Sequence, residues 1–171
     1  HVNIGGGFGI PYFPGEERLC LKAIGDNLGQ LMQQYRPALS GAEIVIELGR
    51  YLVAEAGLYV TRVVDIKHSR GQCFAVCDGG LHHHLANSGN FGQVLRKNYP
   101  VALGTKGSEP ASQTLSFVGP LCTPLDILAH QVTVPEVEIG DPLVIFQSGA
   151  YGASASPQAF LGHPEVREIL L

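Results

Sequence analysis

Two short apolar runs, set one helix apart, constrain this chain most. The first is Val2-x-Ile4 in "HVNIGGGFGIPYFPGEE"; the second is Ile44–Leu48 in "AEIVIELG". Between them, from Glu16 onward, Leu19, Ala23, Ile24, Leu28, Leu31, Met32 and Tyr35 recur at helical spacing and stop before Pro37. Gly25 and Gly29 weaken that helix intrinsically, so packing must support it. Strand, helix and strand with short connections predict an α/β array, in which both runs are buried strands of a parallel sheet or barrel. "RYLVAEAGLYVTRVVDIKH" then predicts a second helix, with Leu52, Val53, Ala56, Val60, Val63 and Val64 on one broad face.

After about Ser69 the texture changes. "QCFAVCDGG", "QTLSFVGPL" and "QVTVPEVEIGDPLVIFQSGAY" are short β-rich runs between Gly, Pro, Asn and Asp, which predict an antiparallel sheet or small barrel. The boundary falls near residues 66–72, giving an α/β unit over 1–68 and an all-β unit over 69–171. The formal charge of −4 comes with no basic run, which argues against a nucleic-acid partner. No uninterrupted apolar stretch approaches the roughly 18 residues of a membrane span, and the sequence contains no basic-then-apolar run of the signal-peptide kind. Four cysteines in 171 residues do not make a disulfide framework, so a reducing cytoplasm is the expected setting. The chain opens within a strand and without methionine, as a portion of a longer polypeptide would.

Three successive glycines at a strand's carboxyl end let the backbone turn tightly and aim several N–H groups at one point, an arrangement that suits phosphate. The dinucleotide fingerprint fails because Ile10 stands at its third glycine, and no Gly-Lys-Ser/Thr completes a nucleotide-binding loop. An isolated triplet is as readily a turn without a ligand. Glu47 and Arg50 add meaning. In a parallel array both emerge at the carboxyl edge beside the glycines, where such folds place ligands. A guanidinium complements phosphate by paired hydrogen bonds. A carboxylate suits a ligand that also carries a ring nitrogen to be kept protonated. The alternative is a helix-start ion pair between Glu47 and Arg50.

An anion cradle beside a carboxylate for a pyridinium matches pyridoxal phosphate. The chain resembles the carboxyl-terminal part of the ornithine/diaminopimelate-type decarboxylases, pyridoxal-phosphate enzymes of fold type III. The resemblance rests on "IGGGFG", "E-x-G-R-Y-L-V-A", "FAVCDGG", "GPLCTPLD" and "GDPLVIFQSGAY", in the family's order. It implies the last βα units of an alanine-racemase-like TIM barrel over 1–68, followed by a C-terminal antiparallel β-barrel domain over 69–171. "HHHLANSGNFGQVLRKNYPVALG" is most similar to a bacterial subgroup of exosortase-associated enzymes and decarboxylases of carrier-bound aminoacyl groups. The subgroup brings an acyl carrier protein into view as a partner, beside an amino-acid or aminoacyl substrate.

Position by position, the resemblance implies that Gly5, Gly6 and Gly7 hold the cofactor phosphate with Arg50 assisting. Glu47 pairs with the pyridine nitrogen, and Tyr151 reaches the cofactor from the β domain. Cys122 enters the other subunit's site in a homodimer and governs protonation after carbon dioxide leaves; Asp126 orients its loop. There are departures. Leu48 replaces the proline of the family's Glu-Pro-Gly-Arg, losing a stiff turn. Thr123 stands where several relatives place an acid that holds a distal amine, which points to a substrate whose far end is neutral, acidic or tethered. The family's Schiff-base lysine lies in a segment this sequence does not contain; Lys22, Lys67, Lys97 and Lys106 match no such motif. The polypeptide as it stands is therefore expected to be inactive alone.

No metal is expected. Consecutive His82, His83 and His84 alternate sides on an extended chain, and Cys73 and Cys77 lack the spacing of a zinc knuckle. The histidine run suits packing or a substrate-side contact; Cys20 suits a core position. Two other functions stay open: an amino-acid racemase on the same architecture, and a non-catalytic homologue that binds or regulates a partner.

Overall fold

The computed structural model describes residues 1–13, 15–89 and 96–171. Pro14 and the "NFGQVL" part of the subgroup motif lie outside them. Strands β1 (Val2–Asn3) and β2 (Ile44–Val45) pair in parallel, joined by helix α1 (Leu21–Gln34). The strand–helix–strand unit read from the sequence is thus present. The helix starts five residues later than its periodicity predicts, because Glu16 turns back. Its carboxylate accepts the Tyr12 and Phe13 amides at 3.1 and 3.3 Å. The expected burial of the unit is not seen: Val2 and Ile4 are about two-fifths exposed, and α1 buries no residue.

A short helix α2 (Gly49–Val53) and a 3-10 turn (Ala54–Ala56) follow. Here the structure corrects the sequence reading, since the second helix stops there and Tyr59–Ser69 is an eleven-residue strand, β3. Tyr59, Thr61 and Val63 are buried while Val60, Arg62 and Val64 are exposed, the strict alternation of a half-buried strand. The apolar positions that mimic a helical face are mostly β-branched, and such side chains pack well on a pleated surface. Residues 59–68, read from the sequence as part of the α/β unit, pair with the sheet.

Strands β4 (Gln72–Cys77), β5 (Val101–Leu103), β6 (Gln113–Val118), β7 (Ile127–Val134) and β8 (Pro142–Ile145) complete a six-stranded sheet in the order β5-β8-β3-β4-β6-β7. Strand β3 joins its two halves. Its first residues pair with β8, its later ones with β4, with a register shift between Val63 and Asp65. The sheet is mixed, not purely antiparallel, because β4 and β6 run parallel. A parallel pair needs a long crossover, and residues 78–112 supply it, carrying the histidine run and β5. Edge strands β5 and β7 approach one another, so the sheet nearly closes.

The core lies inside this curved sheet. Phe117, Leu115, Leu128, Leu103, Leu143, Ile145 and Val63 are at most 2% exposed. Burying each such side chain contributes about 1.5–3 kcal/mol. Among the described residues no helix is long and apolar enough to cross a membrane.

Candidate functional site

The glycine loop leaves the carboxyl end of β1 and meets the chain leaving β2. Gly5 and Gly7 adopt φ of +76° and +88°, a region that disfavours residues with a Cβ. Between them Gly6 lies so close to the Glu47 backbone that an added Cβ would fall 2.1 Å from its carbonyl oxygen. The Glu47 amide in turn donates to the Gly5 carbonyl at 2.8 Å. Asn3 ties the corner together: its Nδ2 donates to Glu47 Oε1 at 2.6 Å, and its Oδ1 accepts the Gly5 amide at 2.7 Å. The sequence reading missed Asn3. Its signal was a lone amide side chain inside the Val-x-Ile alternation.

Gly7, Phe8, Glu47, Gly49, Arg50 and Tyr151 line one pocket of about 340 Å³, within the range of small-ligand sites. The structure therefore brings together a glycine-loop residue, the carboxylate, the guanidinium and the β-domain tyrosine singled out in the sequence. No ion pair joins Glu47 to Arg50 among the described residues. Glu47 is held by Asn3, while Arg50 lies over two rings, 5.3 Å from the Tyr12 centroid and 5.0 Å from that of Tyr151.

Tyr151 reaches the pocket on a loop that follows β8. Both Gln147 and Tyr151 hold φ of +57°, a conformation that non-glycine residues keep only where surroundings impose it. The surroundings are explicit: Gln147 Nε2 donates to the Pro11 carbonyl at 2.7 Å. The Ser148 and Gly149 amides donate to Gly57 and Ala54 at 2.8 and 3.0 Å.

Asp126 and Cys122 are absent from the pocket lining. Asp126 is buried and its two carboxylate oxygens accept the amides of Leu81 and Leu121, at 2.7 and 2.9 Å. Burial raises its pKa, and those two amides oppose the rise. Gly80 and Gly119 pack so closely on the carboxylate that a Cβ on either would sit within 2.4 Å of it. One side chain thus clamps the start of the histidine run to the loop that presents Cys122, which is exposed.

The three histidines do different things. His83 links the Tyr59 hydroxyl (3.1 Å) to the Pro164 carbonyl (2.7 Å). His82 and His84 are at most 1% exposed, and burial pushes both down to about 4; His83 and His163 add to the effect at His82. Cys73 and Cys77 lie on β4, and among the described residues no cluster of three His, Cys, Asp or Glu could hold a metal. Lys22 pairs with Asp26, Lys97 with Glu16, and Lys106 with Glu138 and Asp141; none lines the pocket. Cys20 is exposed beside α1, not in the core.

Two family profiles match. Residues 1–54 match the pyridoxal binding domain of pyridoxal-dependent decarboxylases, and residues 35–149 match their C-terminal sheet domain. The L-glutamyl-[BtrI acyl-carrier protein] decarboxylase of Niallia circulans is 41% identical over 99% of this chain and 40% of its own length. A diaminopimelate decarboxylase of Methanothermobacter thermautotrophicus is 32% identical over 99% of this chain and 39% of its own. The crystal structure of a diaminopimelate decarboxylase from M. jannaschii in complex with L-lysine superposes with a TM-score of 0.80 at 26% identity, over 94% of this chain and 35% of that one. The chain spans about two-fifths of the length of these curated relatives. With both halves matched in the family's order, the chain belongs to the pyridoxal-dependent decarboxylases.

Proposed function

We propose that the pocket binds pyridoxal 5′-phosphate and that the whole protein decarboxylates an amino acid or a carrier-bound aminoacyl group. The observation that carries the reading is that Glu47 lines the same pocket as Gly7 and Arg50. The residues fit the group. The glycine corner has no room for a Cβ at Gly6, and Arg50 has no carboxylate partner among the described residues. Gly7 and Arg50 would hold the phosphate with Tyr151 beside them, Gly5 and Gly6 forming the turn that presents Gly7 while the Gly5 amide is taken by Asn3, and Glu47 would face the ring nitrogen. When bound, the cofactor supplies an electron sink for the pair left by departing carbon dioxide.

Glu47 would keep the ring nitrogen protonated when the cofactor is bound, and Asn3 holds its carboxylate in place by the 2.6 Å hydrogen bond. Cys122 delivers or withholds a proton at the substrate carbon, from an exposed loop fixed by Asp126. Since Cys122 is outside this chain's own pocket, it serves a second copy in a homodimer with shared sites. Residues 1–57 form the end of the cofactor barrel, and the sheet forms the partner-facing domain. Thr123 offers no charge to a distal ammonium. Together with the likeness to a glutamyl-carrier enzyme, this favours a glutamyl-type substrate delivered on an acyl carrier protein over a free diamino acid.

Arg50→Ala is expected to weaken binding of pyridoxal 5′-phosphate about 10–100-fold, the loss of a charge-assisted contact of about 1.5–3 kcal/mol. Equilibrium dialysis reads the change, and an unchanged affinity removes the phosphate assignment. Carbon dioxide release, measured against loss of optical activity in the substrate, separates decarboxylation from racemisation.

A further inference from the structure

Arg50 contacts rings that no glycine or carboxylate motif includes. Its guanidinium lies over the rings of Tyr12 and Tyr151, at 5.3 and 5.0 Å from their centroids. A cation over a ring face is attracted by the ring's quadrupole, and a planar guanidinium also stacks. Tyr12 is the inner of the two rings: it is 8% exposed, whereas Tyr151 is 40% exposed.

The inner ring is braced from behind. Tyr12 lies 4.9 Å from Tyr99, with the planes tilted by 35°, and Tyr99 meets buried His84 edge-on at 5.8 Å. The backbone of the same segment is fastened at Pro11 by Gln147, and at Tyr12 and Phe13 by Glu16. The stack therefore runs from the sheet, through a histidine of the "HHH" run, to the only cation lining the pocket among the described residues. Arginine has many rotamers, and immobilising one before binding removes an ordering cost that a ligand would otherwise meet.

Resting on the phosphate reading above, we propose that Tyr12 is a positioning residue for anion recognition, its ring face holding the Arg50 guanidinium aimed into the pocket. The ring carries this role, not the hydroxyl. A residue that served only the fold would affect ligands with and without phosphate alike; Tyr12 is expected to affect the phosphorylated ligand alone.

The experiment compares pyridoxine 5′-phosphate with pyridoxine, which present the same ring with and without phosphate and do not react with lysines. Affinities are measured by calorimetry on the whole protein. Tyr12→Phe is expected to bind both ligands within about twofold of the parent. Pentafluorophenylalanine at position 12 keeps the ring's shape and reverses its quadrupole; it is expected to weaken the phosphorylated ligand about fivefold or more and leave pyridoxine unchanged. Arg50→Ala should abolish the preference for the phosphorylated ligand. If Arg50→Ala abolishes it while pentafluorophenylalanine behaves like Phe, the role of Tyr12 is overturned and the anion site stands. If Arg50→Ala leaves the preference intact, the phosphate reading itself falls.

Discussion

Gly149→Ala should destabilise the chain by about 3 kcal/mol or more and loosen the pocket at the same time. A Cβ at this position would fall 1.9 Å from the Val53 carbonyl oxygen, 2.8 Å from the Gly57 nitrogen and 2.9 Å from the Val53 carbonyl carbon. All three are backbone atoms, so no side-chain rotation relieves the clash. Gly57 faces the same junction, its own Cβ position lying 2.4 Å from Gly149 Cα. The two glycines let the end of α2 rest directly on the loop that follows β8. Pushing them apart stretches the hydrogen bonds from the Ser148 and Gly149 amides. Such bonds contribute about 1 kcal/mol each, and overpacking adds about 1–3 kcal/mol. Arg50 lies on one side of the junction and Tyr151 on the other, so the 5.0 Å contact between them should be lost as well. Urea denaturation reads the first effect, and pyridoxine 5′-phosphate affinity of the folded protein reads the second. A variant of parental stability would mean that the two segments are not in close contact.

The junction also marks how far a linear reading carries. The β1–α1–β2 unit was legible, because strand and helix periods differ and Gly5–Gly7 punctuate the change. So was the pocket: Glu47 and Arg50 follow β2 closely enough that strand direction alone places them beside the glycines. Strand β3 was not. Its apolar residues continue the spacing of α2, and the feature that separates them, Gly57, is required by a contact with a residue 92 positions away. The parallel pairing of β4 with β6 was hidden for a related reason, since register between distant strands leaves no local trace. Neither Tyr12 nor Tyr99 is singled out as a candidate in the sequence, and their stacking joins residues 87 positions apart. The hydrogen bond from the Leu121 amide to Asp126 lies within the motif singled out in the sequence. The carboxylate's second partner, the Leu81 amide, does not.

Lowering the pH from about 7.5 to about 4.5 should destabilise the parent by about 2.5 kcal/mol more than it destabilises His84→Phe. His84 is 1% exposed, with Tyr59 and Tyr99 edge-on to its ring at 5.6 and 5.8 Å. Its Nδ1 accepts the Asn87 amide at 3.4 Å, while its Nε2 is buried without a partner among the described residues. Protonation would place a cation there with little to stabilise it, so burial pushes the group down to about 4. Unfolded, the same imidazole titrates near its ordinary 6.5. The folded form thus binds its proton less readily than the unfolded form. Stability is fully present above about pH 6.5, falls as pH drops through the window, and loses no more from this group below about pH 4. Phenylalanine fills a similar volume and does not titrate, so the difference between the two proteins isolates this contribution from Asp126, whose raised pKa acts in the opposite sense. Denaturation series at the two pH values measure it. Parallel losses in parent and variant would show that His84 accepts its proton in the folded state, and that its burial among the rings is not as described.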